Sequence, residues 1–452
     1  MILPDSVAHG GPDAQGSVPH DFSTNANAAG PCPFVQERLR ALAADRYPDP
    51  ACTDLIARLA EWHQVSPERV IVGASASELI MRLTAAMVRL HGPHVQVRVP
   101  PHAYGDYARA AGAWGLPVST WGREMPPHFA ANKADSPGAA QESDHLPGDD
   151  RSLRLPVGRL AILTWICDPD SPFGQSPRHD SYLPDSTGDL QAGASQYHDA
   201  EMACGEHHRT PAAVEGMAGN GRSASRMDST ETVPVAAQVL DRVYAPLQLE
   251  GRQPDPAWLD RVWQLHSPNK ALGLCGVRGG YLIAPQALTE PEEALCATLR
   301  ALSPSWPLGA HAVALLDAWT HTETRQWLSE ALMQLREWKQ MQVGGLRQRG
   351  WRVHESLTSF FCAEPPWLVS ALSAREGTGA HVANGTAKAF ATPEFRSDQD
   401  KSRSIRLQQH LRAQGIKLRE TTSFGLPGAF RLCVHHPRSQ EALWHALDNF
   451  HD

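Results

Sequence analysis

The chain has 452 residues, of which 42% are hydrophobic and 20% charged, and its formal net charge is −8. That length exceeds one ordinary core and implies two domains, or a large domain with a smaller companion. The negative balance, with no block of like charges, excludes a nucleic-acid or anionic-membrane surface as the main partner.

Residues 1–16 (MILPDSVAHGGPDAQG) lack a basic segment followed by an apolar one, so no export signal is expected. The longest strongly apolar run, residues 160–167, is too short to cross a bilayer. Eight cysteines are scattered without a CxxC pair, which reads as reduced thiols in a soluble cytoplasmic protein.

In chain order, residues 53–63 read as an amphipathic helix and 69–73 (RVIVG) as a short buried strand. Ala76, Ile80, Leu83, Met87 and Leu90 follow a helical stripe, with Ser75 or Ser77 available as its N-cap. Residues 95–99 form a strand, Tyr107 lies in the next helix, and 161–167 and 235–240 are further buried strands. Strands separated by helices imply βαβ units and an α/β fold with a mostly parallel sheet, whose ligands bind at the carboxyl ends of the strands. Gly73, Asp168 and Asp241 all fall at strand ends. Beyond Leu302 a long helical stretch, 311–350, leads to strands around Ser359 and Phe430 and two helices, a smaller α+β domain. Residues 124–156, 176–232 and 374–402 are rich in Ser, Gly, Ala, Asp and Pro without apolar periodicity and read as mostly disordered loop insertions. The CGEHH at 204–208 lacks a second ligand pair at metal-binding spacing, so no metal site is expected.

The chemistry concentrates in residues 265–281, LHSPNKALGLCGVRGGY. A lysine between a strand end and a glycine-broken turn can be held away from bulk water, which makes Lys270 a candidate Schiff-base former. Ser267 and Arg278 offer a hydroxyl and a fixed charge to a phosphate. On its own, SxxK is more often an ordinary surface turn. Its company changes that: VLDRVYAPL at 239–247 puts Asp241 at a strand end and Tyr244 nearby, and ICDPDSPFGQ at 166–175 ends another strand in a Pro/Gly turn. In VGASASELI at 72–80, Ala76 and Ser77 open a helix whose free N–H groups suit phosphate.

Together and in this order, these motifs resemble the fold-type-I pyridoxal-phosphate enzymes, the aspartate-aminotransferase-like superfamily, and within it the histidinol-phosphate aminotransferase branch. The resemblance covers nearly the whole chain apart from the three insertions. It implies pyridoxal 5′-phosphate as cofactor, bound covalently by Lys270, with Asp241 at the pyridine nitrogen and Tyr244 at the ring oxygen. It further implies Tyr107, in PHAYGDY, as the aromatic stacked on the pyridine ring. Ala76, Ser77, Ser267 and Arg278 match the phosphate cradle, and Tyr47, in RYPDP, matches a tyrosine reaching the phosphate of the neighbouring subunit of a homodimer. One departure is DPDSPFG where the family has NPNNPTG, which puts Ser171 in place of an asparagine beside the ring oxygen.

Two further stretches narrow the branch. HGG at 9–11 with DFSTNANAAGP at 21–31, and KLRETTSFGLPGAFRLCVHHP at 417–437, resemble the L-threonine-O-3-phosphate decarboxylases of cobalamin biosynthesis, with Ala28 replacing a usual proline. By that resemblance Arg419 and Arg431 hold the substrate carboxylate, and His9, Ser23 and Asn25 lie near the substrate. Read without it, the arginines are strand-edge charges and HGG is a disordered tail. The expected partition is an N-terminal substrate-contacting segment over 1–45, a large cofactor-binding domain over 46–302 and a small C-terminal domain over 303–452. A histidinol-phosphate-type aminotransferase is the alternative reaction. A catalytically silent binding protein is a remote third, opposed by the intact Lys270, Asp241, Tyr244 and Arg278.

Overall fold

The computed structural model describes residues 10–120, 160–176, 236–369 and 398–451. The expected insertion at 124–156, most of those at 176–232 and 374–402, the CGEHH stretch and His9 lie outside the described residues.

The first part runs β1 (His20–Asp21), α1 (Pro33–Arg40), α2 (Thr53–His63), β2 (Val70–Gly73), α3 (Ala76–His91), β3 (Val95–Val99), α4 (Gly105–Ala113) and β4 (Val118–Thr120). It continues through β5 (Ala161–Cys167), β6 (Ala236–Asp241), α5 (Pro256–Leu259), β7 (Trp263–His266) and β8 (Gly280–Ile283). Seven of these strands make one sheet in the order β2-β8-β7-β6-β5-β3-β4. Only β8 runs against its neighbours. The other six strands therefore end along one edge, while β8 begins there.

Burial explains why these segments are strands and helices. β2 is buried at every position, as expected where helices cover both faces of a sheet. On α3 the buried Leu79, Ile80, Leu83, Ala86 and Met87 recur at helical spacing, and Ser75 accepts from the Glu78 N–H as its N-cap. Each such buried aliphatic side chain contributes on the order of 1.5–3 kcal/mol. The large apolar side chains Tyr107, Trp165 and Trp263 are almost wholly buried in the same core.

The second part holds α6 (Glu290–Ala301), α7 (Ala310–Trp319), α8 (Thr322–Gln348), β9 (Arg352–Val353), β10 (Phe360–Glu364) and α9 (Asp398–Ala413). β11 (Ile416–Lys417), β12 (Arg419–Glu420), β13 (Phe430–Cys433) and α10 (Pro437–Asp448) complete it. An antiparallel four-stranded sheet, β12-β13-β10-β9, forms the smaller α+β domain. Two expectations change here. The helical stretch 311–350 breaks between α7 and α8, where the Thr320 and Thr324 hydroxyls bond the Asp317 and Ala318 carbonyls and the turn tightens. Residues 398–402, expected in a disordered insertion, form the first turn of α9. Its inner face opens with the buried polar residues Asp400 and Ser404, which hid the helical stripe.

The N-terminal segment belongs to both sheets' surroundings. β1 pairs in parallel with β11, and the Cys433 N–H donates to the Phe22 carbonyl, so residues 20–25 are stitched to the small domain. No helix among the described residues is long and apolar enough to cross a membrane.

Candidate active site

The sheet's topology answers why a lysine and an arginine should flank a glycine-rich turn. β7 rises to His266, the loop 267–279 crosses the carboxyl edge, and β8 descends from Gly280. Lys270 and Arg278 therefore stand above the strand ends that carry Cys167 and Asp241. The loop is held from outside: the Asn27 N–H donates to the Lys270 carbonyl, and the Asn27 amide donates to the Ala271 carbonyl at 3.0 Å. Gly273 sits at φ +67°, and a Cβ there would come within 2.6 Å of the Gly30 carbonyl oxygen. The DFSTNANAAGP stretch is thus the brace of the lysine loop.

A cavity of about 60 Å³ is lined by Ala76, Ser77, Ser171, Asp241, Tyr244, Ser267, Lys270 and Arg278, with Tyr104, Cys167 and Val243. At its floor Asp241 is buried and accepts from the Tyr107 hydroxyl at 2.6 Å and the Val243 N–H at 3.0 Å. Burial pushes its carboxyl above the usual range, while those two donors and the Lys270 charge pull the other way. A carboxylate so placed would keep a bound pyridine nitrogen protonated. The Lys270 Nζ lies 5.3 Å from the centre of the Tyr244 ring. Also in the cavity lining stand Ala76 and Ser77, at the N-terminus of α3, and exposed Arg278. The Ser267 hydroxyl donates to the Gly279 carbonyl at 2.7 Å, which ties the two ends of the lysine loop together.

An adjoining cavity of about 180 Å³ shares Tyr104, Tyr244, Lys270 and Arg278 and adds Gly10, Ser23, Thr24, Asn25, Ser423, Phe424, Arg419 and Arg431. Arg419 and Arg431 are direct partners across the antiparallel pair β12–β13, and each is 7% exposed. Burial, and then the neighbouring Arg431, pull the Arg419 guanidinium down to about 10. Arg431 donates to the Ser171 hydroxyl and to the Ser23 carbonyl, both at 3.0 Å. Arg419 donates to the Ser423 hydroxyl at 2.7 Å. Two abutting buried cations in a polar cleft create a demand for anions. Asn25 is 2% exposed, and among the described residues neither atom of its amide has a hydrogen-bond partner. Asp21 organises the segment above, accepting from the Ser23 N–H at 2.9 Å and from the Ser23 and Thr24 hydroxyls. Gly10 is the small residue this packing requires, since a Cβ there would lie 2.1 Å from the Ser23 carbonyl oxygen.

The structure corrects one assignment. Tyr107 was expected to stack on the cofactor ring, but it is 0% exposed, lies on Trp165 with ring centroids 4.7 Å apart, and donates to Asp241. As the third residue of α4, it packs into the core of the sheet. Tyr104, the residue before that helix, lines both cavities and has its hydroxyl 3.3 Å from that of Ser77. The signal was in the sequence: the loop that leaves a parallel strand, and not the helix after it, meets the ligand. Asn27, Asp21 and Phe424 were likewise missed, because their roles depend on long-range contacts. Tyr47 is 81% exposed against Trp306, away from the cleft of its own chain.

Comparison with known proteins fits this geometry. Residues 240–448 match the family model for aminotransferases of class I and II. That match spans a little under half of the chain. A histidinol-phosphate aminotransferase of Jannaschia sp. is 23% identical over 440 residues, 95% of this chain and 90% of the relative. The solved histidinol-phosphate aminotransferase of Sinorhizobium meliloti, in complex with pyridoxal-5′-phosphate, superposes with a TM-score of 0.59 at 17% identity, covering 99% of this chain and 94% of that one. The L-threonine-O-3-phosphate decarboxylase of Porphyromonas gingivalis superposes with a TM-score of 0.57 at 16% identity, covering 95% of this chain and 98% of that one. The Sinorhizobium structure contains pyridoxal-5′-phosphate, and this chain has the fold of the type I pyridoxal-phosphate enzymes. Its cleft fits that group at both ends, with a buried carboxylate on the floor and a cationic rim beside a helix N-terminus.

Proposed function

We propose that the chain decarboxylates L-threonine O-3-phosphate to (R)-1-aminopropan-2-yl phosphate, the linker precursor of the cobalamin nucleotide loop. The observation that carries this reading is the pair Arg419–Arg431, buried abreast beside Lys270 and roofed by the segment bearing Ser23 and Asn25. A small substrate with a carboxylate answers that pair of cations, while Arg278 at the shared wall is left to the cofactor's phosphate.

Asp241 and Tyr244 would hold the cofactor's ring, Ala76, Ser77, Ser267 and Arg278 its phosphate, and Lys270 its aldehyde carbon. When bound, the cofactor supplies an electron sink for a bond broken at the substrate α-carbon. The protein's own part is orientation. Arg431, fixed by Ser171 and Ser23, and Arg419 would hold the substrate carboxylate so that its bond to the α-carbon is the one that breaks. Once CO₂ has left, the Lys270 Nζ would return a proton to the α-carbon. Residues 23–25 line the cleft and would help to shield it from water. We read exposed Tyr47 as the phosphate contact of a second copy in a homodimer.

The second reading, a histidinol-phosphate-type aminotransferase, is favoured by the names of relatives such as the Jannaschia protein. Titrating the cofactor-loaded protein with O-phospho-L-threonine and with histidinol phosphate, and following the cofactor's absorbance, separates the two. The first ester should bind the more tightly, and Arg431→Ala should weaken it by about 2–5 kcal/mol. A parent that answers only to histidinol phosphate overturns the decarboxylase.

A further inference from the structure

His102 stands where three loops meet, and nothing in the chemistry above uses it. It lies between β3 and α4, two residues before Tyr104, with φ +58°, the left-handed region that suits glycine better than a side chain. A side chain kept in that region is held there by its surroundings. The His102 Nδ1 donates to the Phe424 carbonyl at 2.5 Å. Phe173 meets the same imidazole edge-on, with centroids 5.6 Å apart and planes at 83°. Phe424 in turn lies under both arginines, 5.4 Å from the Arg419 guanidinium carbon and 5.5 Å from that of Arg431. Ser171, two residues before Phe173, accepts from Arg431. One imidazole therefore joins the loop that carries Tyr104, the loop that carries Ser171 and the loop that carries Phe424.

The geometry points to His102 as a positioning residue that clasps the Phe424 loop over the cleft and so sets where the arginine pair meets a phosphorylated amino acid. The inference rests on reading the cleft as the substrate site. His102 does not line either cavity. It acts through Phe424, so its loss should change substrate capture and leave the cofactor's seat on Asp241, Lys270 and α3 intact.

The test compares cofactor-loaded parent, His102→Gly, Phe424→Leu and the double variant, with O-phospho-L-threonine as substrate. Glycine keeps the left-handed backbone and removes only the clasp. His102→Gly should leave the cofactor's absorbance and the thermal midpoint unchanged and keep kcat close to the parent's. Its KM should rise about 10- to 100-fold, the scale of a small misplacement of binding groups. Phe424→Leu should raise KM similarly, and the double variant should go no further than the larger single effect, because both act through one element. An unchanged KM in His102→Gly overturns the inference, as does a rise that tracks cofactor loss or a lowered thermal midpoint. Multiplying effects in the double variant overturn it too. Histidinol phosphate with 2-oxoglutarate runs alongside. A parent that uses only that pair overturns the decarboxylase reading, and the clasp is then judged by the KM for histidinol phosphate in the same variants.

Discussion

At the scale of single residues the site depends on what lies behind the groups that face the cleft. Burial raises the Asp241 carboxyl, Tyr107, Val243 and Lys270 pull it back, and Tyr107 is the side-chain donor. Removing one hydroxyl should therefore be felt at the cofactor nitrogen while packing on Trp165 persists. Tyr107→Phe is expected to fold normally and to lose roughly 1.5–3 kcal/mol of transition-state stabilisation, the scale of a hydrogen bond to a charged group. Steady-state kcat/KM beside a thermal melt checks this, and an unchanged kcat/KM would contradict it. Tyr107 also shows what one chain of letters conceals. PHAYGDY offers two tyrosines, and the choice between them turns on where α4 begins, a boundary that periodicity locates only to within a few residues.

At the scale of elements, much of the architecture was legible. α3 announces itself through Ala76, Ile80, Leu83, Met87 and Leu90, and β5 through a strongly apolar run ending at Cys167. The break between α7 and α8 was not, because two threonine hydroxyls capping their own backbone leave the apolar spacing almost undisturbed. Nor was the start of α9, whose inner face is polar. A further element-level feature is the packing of α2 on β7 and β8 through His63, His266 and Tyr281. His63 bonds the Tyr281 hydroxyl at 2.9 Å, and burial, then Arg242, lowers it from 6.5 to about 4. The unfolded chain takes up this proton near pH 6.5, whereas the folded chain resists until about pH 4, so stability falls as pH drops through that window. The single group accounts for about 2–3 kcal/mol. In urea unfolding, His63→Gln should lose less stability than the parent between pH 6.5 and 4.5. Equal losses would show that His63 takes up its proton alike in the folded and unfolded chains.

At the scale of the whole molecule, the site is a junction. The large sheet supplies Asp241, Lys270 and Tyr104, the small domain supplies Arg419, Arg431 and Phe424, and residues 20–27 bridge them through β11, Arg431 and the lysine loop. That convergence is why the arginines were ambiguous in the sequence. As letters in a β-rich tail they are edge charges, and only the folded register puts them abreast beside Lys270. On the proposed reading, this junction would orient one substrate, without a second substrate to complete a cycle. The most direct measurement is the release of CO₂ from carboxyl-labelled O-phospho-L-threonine by cofactor-loaded protein with no keto acid present. Sustained turnover, one labelled CO₂ for each 1-aminopropan-2-yl phosphate formed, is the result expected. Retention of the label in the amino acid, with glutamate appearing only when histidinol phosphate and 2-oxoglutarate are supplied, would contradict it.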